Sequence, residues 1–361
     1  MTTTSFLRLP LALAAMLACS PLGAQEADVQ AFAAEVDSLR QALRIPGLSV
    51  AVVRDGRVVL ARGYGWANVE ARVPATEHTP YTIASVTKPI SGVVAMRLME
   101  RGVLDLDRPM SSFDNWAEFC AEAKADGPRI FFADYDCSPR VTLRHVLSMQ
   151  MNGTAGERFL YNPISFSWAS RPIMQATGRS FSDLTAEEVF APAGMTQSAR
   201  RHRDLPLRAD LDSAMALPYH VDSTGVLRRS PGPGPQGDGA AGGVISTVVD
   251  LARFDVALDE GRLISEASRA EMWRPGRSPS GNVLPYGIGW FVQQVDGRRV
   301  VWHSGWWEQA YSALYLKLPD ERLTLILLAN SEGLWWGNPL DGATVERQPF
   351  AAAFLRRFRG R

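Results

Sequence analysis

The sequence predicts a mixed α/β fold of the α+β type, in which an antiparallel sheet built from both chain ends is flanked by helices beside a mostly helical middle region. Apolar, β-rich runs that turn at polar pairs cluster near both ends of the 361 residues, at about 25–84 and 281–361. Residues from about 85 to 280 have the patterns of helices and loops instead. Since 46% of the residues are hydrophobic, the chain can bury a substantial core.

The first 24 residues have the composition of a secretory signal peptide: one Arg, an apolar run, and small residues ending at Ala24. We therefore expect a mature chain of residues 25–361 that is periplasmic or secreted. Residues 16–19 also resemble a weak bacterial lipobox, so a lipid anchor at Cys19 is the alternative. No later stretch has the roughly 18 unbroken apolar residues needed to span a bilayer.

The strand-rich ends follow a simple order. An amphipathic helical pattern over residues 29–43 precedes a hairpin, GLSVAVVRDGRVVLARGYG, that turns at Asp55-Gly56. Near the other end, GIGWFVQQVDGRRVVWHSG turns at Asp296-Gly297 and YSALYLKLPDERLTLILLAN turns around Pro319-Asp320. A last helical pattern covers residues 350–358. These runs predict one sheet with a terminal helix from each end packed on it.

The middle region combines helices with loops. Helix-like patterns occupy residues 85–101, 141–151, 166–177, 182–190 and 247–260. Residues 230–243, SPGPGPQGDGAAGG, are predicted to be a loop; without a strand-GxxxxGK-helix context, they do not predict a phosphate site. A substrate site is expected where the helical region meets the sheet.

The charge balance of the chain excludes several classes of partner. The 38 basic and 38 acidic side chains balance and form no basic stripe, so we expect a small-molecule or peptide-like substrate and no nucleic acid; the oligomeric state is not predicted.

Beyond the leader only Cys120 and Cys137 remain, which predicts either a disulfide or two free, buried thiols. The histidines lack metal-ligand spacing, and neither a metal nor a cofactor is predicted.

The stretch IASVTKPI contains Ser85 and Lys88, one helical turn apart at the start of a predicted helix. The chain has three lysines, and a lysine, unlike an arginine, can lose its proton in a desolvated site and act as a base. Ser85 at a helix N-terminus is thus a candidate nucleophile. The alternative is an ordinary N-cap serine.

Motifs far from this stretch favour the nucleophile. Ser85-x-x-Lys88, then Tyr161, then His303-Ser304-Gly305 on a predicted strand, resemble the serine hydrolases related to class C β-lactamases, D-Ala-D-Ala carboxypeptidases and their esterase relatives. AGERFLYNP, FAPAGM, GAAGGVISTVVDLARF, YGIGW and WHSGWWEQAYSALYLKLPDERLTLILLAN extend the resemblance over nearly the whole mature chain. The resemblance implies one domain with a β-lactamase/transpeptidase-like fold.

By this resemblance, Ser85 is the acylated nucleophile, and Lys88 and Tyr161 remove and return its proton. The backbone N–H groups of Ser85 and Trp306 would form the oxyanion hole. His303, Ser304 and Gly305 would face the substrate, with Gly305 leaving room for it. A structural histidine is the alternative for His303.

One departure from the family pattern concerns the segment after the tyrosine. Where the family usually has Tyr-Ser/Ala-Asn, this chain has Tyr161-Asn162-Pro163, which moves the asparagine one place earlier. We predict that Asn162 is a substrate-binding residue in a shifted position, and that a contact to the acylamide of β-lactams is lost. His303 in place of lysine gives a weaker attraction for a substrate carboxylate. Trp306 and Trp307 are expected to wall the acyl pocket.

The sequence therefore predicts a serine hydrolase that acts through an acyl-enzyme on an ester, amide or lactam carbonyl, esterase-like or peptidase-like. A β-lactamase or D-Ala-D-Ala carboxypeptidase is the first alternative. A catalytically weak protein that binds cell-wall fragments on the same fold is the second; the retained Ser85, Lys88 and Tyr161 favour the enzyme.

Overall fold

The computed structural model describes residues 21–234, 236–339 and 341–359. Most of the predicted leader, including Cys19, lies outside the described residues, so signal-peptide cleavage and lipid anchoring stay predictions. Within these ranges no helix combines the length and the apolar composition that crossing a membrane requires.

The main sheet is antiparallel and has seven strands in the order β11-β12-β13-β14-β1-β2-β3, which confirms the predicted fold class. The first and last strands of the chain join at the centre, where β1 pairs with β14 from Leu48 opposite Ala329 to Arg54 opposite Leu323. The strands of the described residues are β1 Gly47–Arg54, β2 Arg57–Asn68, β3 Val73–Pro74, β4 Tyr81–Thr82, β5 Ala199–Arg200, β6 Tyr219–Val221, β7 Leu227–Arg229, β8 Val244–Ser246, β9 Gly276–Arg277, β10 Val283–Leu284, β11 Phe291–Val295, β12 Arg298–Trp307, β13 Tyr311–Leu318 and β14 Leu323–Ala329.

The predicted hairpins of the sheet are confirmed. Asp55 and Gly56 have φ values of 51° and 74°, and Asp296 and Gly297 have 50° and 76°. Both central residues of each turn are thus left-handed, as a two-residue turn requires to follow the twist of its strands. The β13–β14 connection is a short 3₁₀ turn at Pro319–Glu321.

Helices cover the sheet and fill the middle of the chain. They are α1 Pro21–Ala42, α2 Thr87–Glu100, α3 Trp116–Asp126, α4 Arg129–Phe132, α5 Leu143–Leu147, α6 Pro163–Trp168, α7 Ser170–Thr177, α8 Phe181–Thr185, α9 Ala191–Ala193, α10 Ala209–Ala214, α11 Val248–Asp259, α12 Glu266–Met272 and α13 Pro349–Arg357. The terminal helices α1 and α13 also pack against each other, with the Phe32 ring 5.5 Å from that of Phe354.

A buried ionic cluster joins α11 to the sheet. The Lys317 ammonium on β13 donates to the carboxylates of Asp255, at 3.0 Å, and Asp259, at 2.8 Å. Thr324 donates a further hydrogen bond to Asp255. Because Lys317 and Asp255 are both fully buried, neither charge is stable without the other.

The middle region is less purely helical than predicted. It also contains three small sheets, β4-β8-β5, β6-β7 and β9-β10, whose strands of two or three residues are too short to produce a periodic pattern. The segment between the two cysteines contains the second half of helix α3 and all of helix α4. Cys120 on α3 and Cys137 lie within disulfide-bonding distance, with Cα atoms 6.2 Å apart, which favours the disulfide over two free thiols.

Candidate active site

Ser85 lies on a 3₁₀ turn, Ala84–Val86, immediately before α2. The turn leads out of β4, where the backbone N–H of Ile83 donates to the carbonyl of Val244 on β8. Ala84 takes the left-handed conformation, with φ of 46°. Neither the turn nor α2 has a side-chain cap, so the structure does not support the alternative of Ser85 as an ordinary N-cap.

Lys88, in the first turn of α2, points its ammonium group at the serine. Its Nζ lies 2.7 Å from Ser85 Oγ and 3.2 Å from the carbonyl oxygen of Ala241. It also lies 5.1 Å from the ring centroid of Tyr161 and 5.6 Å from that of Phe166. Among the described residues, no carboxylate forms an ion pair with it.

The surroundings of Lys88 favour its neutral form. The side chain is fully buried, and burial lowers the pKa of Lys88 well below the usual lysine value. A neutral Nζ has a lone pair that can accept the hydroxyl proton of Ser85. The geometry therefore suits a general base acting on the serine.

Tyr161 has the opposite character. Its side chain is buried, and burial raises the pKa of the phenol, while its interaction with the Ser85 hydroxyl has a smaller, lowering effect. The phenol therefore keeps its proton at neutral pH and can give it to a departing group.

The end of β12 borders the cavity that Ser85, Lys88 and Tyr161 also line. Ser304 and Trp306 line the cavity, and both are paired across the sheet with β13. Gly305 lies so close to the serine turn that a Cβ atom there would be 2.2 Å from the carbonyl oxygen of Ile83. Only glycine allows β12 to approach the serine turn this closely. The oxyanion role of the two backbone N–H groups stays a prediction.

His303 does not reach the cavity, contrary to the prediction that it faces the substrate. Ser304 is among the residues that line the cavity, and His303 is not. The imidazole is fully buried, accepts a hydrogen bond from the Tyr286 hydroxyl at 2.8 Å and donates through Nδ1 to the Ser304 carbonyl at 2.6 Å. Burial, and then the charge of Lys88, lower the pKa of His303 well below its usual value. The burial and the hydrogen bonds of His303 match the alternative of a structural histidine.

Asn162 is likewise turned away from the cavity. Its side chain is fully buried and caps α6 by accepting from the backbone N–H of Ser165 at 3.0 Å. Its amide nitrogen donates to the carbonyl of Phe131 at 3.0 Å. The predicted contact with substrate is therefore not seen. Pro163, which follows it, does line the cavity and offers no amide there.

The loop before β8 borders the site, although no role there was predicted for it. Ala240 accepts a hydrogen bond from Ser91 of α2 at 2.6 Å, and Ala241 accepts the one from Lys88. Gly239 packs against Ser167, where a Cβ atom would meet the serine Oγ at 1.8 Å. The loop acts through backbone atoms, and its closely spaced glycines are the signal that could have indicated a close approach.

These residues enclose one cavity of about 450 Å³, within the range of small-molecule sites. The side chains that line it are Ala84, Ser85, Lys88, Tyr161, Pro163, Ile164, Ser167, Gln236, Ala241, Gly242, Phe291, Ser304, Trp306, Trp307, Trp335 and Asn338. Lys88 is the one lysine among these lining residues, which include no arginine, histidine, aspartate or glutamate. The described residues contain no cluster of three His, Cys, Asp or Glu side chains suited to a metal ion.

The sheet flanked by helices and the serine-lysine-tyrosine cluster define a serine-hydrolase architecture. A family model described as Beta-lactamase matches residues 32–335, and the chain belongs to this family. The predicted membership in a family of serine hydrolases is thereby confirmed.

Among curated proteins, the chain is similar to Penicillin-binding protein 4* of Bacillus subtilis, with 28% identity, covering 79% of this chain and 68% of that protein. It is also similar to a D-aminopeptidase of Gluconobacter oxydans, with 26% identity, covering 79% of this chain and 56% of the relative. The chain therefore spans little more than half the length of that relative.

Two solved structures share the fold. An octameric penicillin-binding protein homologue from Pyrococcus abyssi has a TM-score of 0.73 and 24% identity, covering 91% of this chain and 77% of the other. EstCE1, a hydrolase with promiscuous acyltransferase activity, has a TM-score of 0.68 and 17% identity, covering 91% and 99%.

Proposed function

We propose that this protein hydrolyses esters of uncharged small molecules through an acyl-enzyme on Ser85. The observation that carries the proposal is the 2.7 Å contact between Ser85 Oγ and the buried Lys88 Nζ, inside a cavity whose other described lining residues are all uncharged side chains. A serine needs such a base to become a nucleophile.

The lowered pKa of Lys88 and the raised pKa of Tyr161 support the following proton transfers. Lys88 takes the proton of Ser85 as Oγ attacks the carbonyl carbon, and the backbone N–H groups of Ser85 and Trp306 stabilise the resulting oxyanion. The carbon–oxygen bond to the leaving group then breaks as Tyr161 gives its proton to the departing alkoxide. Lys88 returns a proton to Tyr161, which restores both groups.

Deacylation repeats this sequence with water. The same pair takes a proton from water as it attacks the acyl carbon, and the ester bond to Ser85 breaks as Oγ is protonated again. Atoms balance, since one water is consumed and one acid and one alcohol are released.

Charge favours a neutral substrate over the substrates of other family members. β-Lactams and peptide C-termini carry a carboxylate, and D-amino acid amides carry an ammonium group. The described lining offers no carboxylate, and its one amine is buried, has a pKa lowered by that burial and is bonded to Ser85. Because Asn162 is turned inward and Pro163 has no side-chain amide, the segment after Tyr161 offers no acylamide contact, and the side-chain amides of the lining are those of Gln236 and Asn338. A β-lactamase or carboxypeptidase is the second candidate, because the fold and the serine cluster are shared with that class.

The test compares three substrates with the full chain: p-nitrophenyl butyrate (neutral ester), nitrocefin (anionic β-lactam) and D-alanine p-nitroanilide (cationic amide). We expect the ester to have the highest kcat/KM and Ser85→Ala to lower it roughly 10³-fold or more. Lys88→Arg should be similarly inactive, because an arginine does not deprotonate.

A higher kcat/KM for nitrocefin would support the β-lactamase candidate, and a higher value for the anilide would support a peptidase. If no substrate turns over and a fluorophosphonate probe fails to label Ser85, the proposal is wrong and a binding protein on this fold is favoured.

A further inference from the structure

Of the three tryptophans that line the cavity, Trp307 packs against the hydrophobic core, but Trp306 and Trp335 are not part of it. Trp290 and Trp302 are fully buried in the core, whereas Trp306, Trp307 and Trp335 are only partly buried and line the cavity. A large apolar side chain kept in contact with solvent inside a concave site commonly marks a place where a ligand binds.

The tryptophans are held in a fixed arrangement. The rings of Trp306 and Trp335 stack with centroids 5.1 Å apart and planes 17° apart. Trp306 also donates through Nε1 to the Glu332 carboxylate at 3.2 Å. An ordered indole pair loses little freedom when a ligand packs on it, so more of the contact energy remains as affinity.

Two further rings contribute to the cavity lining. Tyr161 and Phe291 lie nearly parallel, with planes 5° apart and centroids 6.1 Å apart. Phe291 is itself fixed by stacking on Trp302 at 4.3 Å. Five of the sixteen lining residues are therefore aromatic, and the remaining lining is small, aliphatic or uncharged polar apart from Lys88.

We propose that the substrate of Ser85 carries a planar, uncharged aromatic ring next to the scissile carbonyl, in its acyl or its alcohol part, and that Trp335 together with Trp306 selects this ring. The inference rests on the proposed esterase function. Ring-on-ring contacts exceed the effect of buried area alone, which corresponds to roughly a two- to tenfold gain in kcat/KM over a saturated ring of similar size.

The test uses two matched pairs of esters, and the hydrolysis of each ester is measured by pH-stat titration. Methyl phenylacetate is compared with methyl cyclohexylacetate to examine the acyl part, and benzyl acetate with cyclohexylmethyl acetate to examine the alcohol part. Each ratio is measured in the wild type, Trp335→Leu and Trp335→Phe, and the change between variants cancels the intrinsic reactivity of the esters.

We expect an aryl preference of at least about threefold in one pair, lost in Trp335→Leu and kept in Trp335→Phe. The matched control is Trp66→Leu, which removes a 41%-exposed tryptophan of β2 outside the cavity lining and should leave the ratio unchanged. Thermal melts establish that each variant is folded.

This inference would be overturned if the aryl-to-saturated ratio of the wild type were near one in both pairs, or if Trp335→Leu left an aryl preference intact. Ester turnover that depends on Ser85 would in either case still support the proposed function. Absence of any Ser85-dependent turnover would overturn both.

Discussion

Replacing Gly305 by alanine should separate the β12 edge from the serine turn. The added Cβ atom would lie 2.2 Å from the Ile83 carbonyl oxygen, whereas real Cβ contacts begin near 3.0 Å, so the two backbones must part by about 0.8 Å. It would also lie 3.1 Å from the Ala313 Cβ, which limits relief by a tilt toward β13. A displacement of this size at reacting groups costs on the order of 10²-fold in rate.

The assay is kcat for a neutral ester, normalised to the number of sites that a fluorophosphonate probe titrates, with a thermal melt of each protein. We expect kcat to fall about 10²-fold in Gly305→Ala. Gly237→Ala is the control, because no atom of the described residues lies within 4 Å of its added Cβ. A folded Gly305→Ala variant with kcat within about threefold of the wild type would refute the reasoning that strand-to-serine spacing sets the rate.

Three further outcomes are expected. Because the pKa of Lys88 is lowered, kcat/KM should be retained above that lowered pKa and fall as pH drops through it, which a pH-rate profile measures. Lys317→Met leaves the buried Asp255 unpaired and should lower the free energy of unfolding by about 3–5 kcal/mol, measured with urea. Cys137→Ser opens the loop closed across a separation of 17 residues and should cost about 3 kcal/mol without reductant.

Each of these has a contradicting result. If the Lys88→Arg variant kept full activity and the same acid limb of its pH-rate profile, Lys88 would be excluded as the general base. Unfolding free energies equal to that of the wild type would show that the buried pair, or the cysteine bridge, contributes nothing to stability.

The sheet could be predicted because its signals are local and repeated: apolar runs joined by Asp-Gly turns. Helix α12 gave almost no signal, since only Ser268 and Met272 are buried along it and an apolar face is absent. Helix α3 did carry one, with Trp116, Cys120 and Ala123 on one side, but no helix was predicted over this segment.

The candidate site was predictable to the extent that side-chain identity defines it. Ser85 and Lys88 are one turn apart, so their contact follows from helix geometry. The carbonyl of Ala241 could not be found this way, because every residue has one.

Ala84 gives the serine turn a consequence for protein engineering. A non-glycine residue in the left-handed region, here with φ of 46°, costs roughly 1–2 kcal/mol. A library selected for thermostability alone would therefore favour glycine at this position. The same change would widen the conformations open to Ser85, so heat resistance and turnover should trade against each other at this one residue.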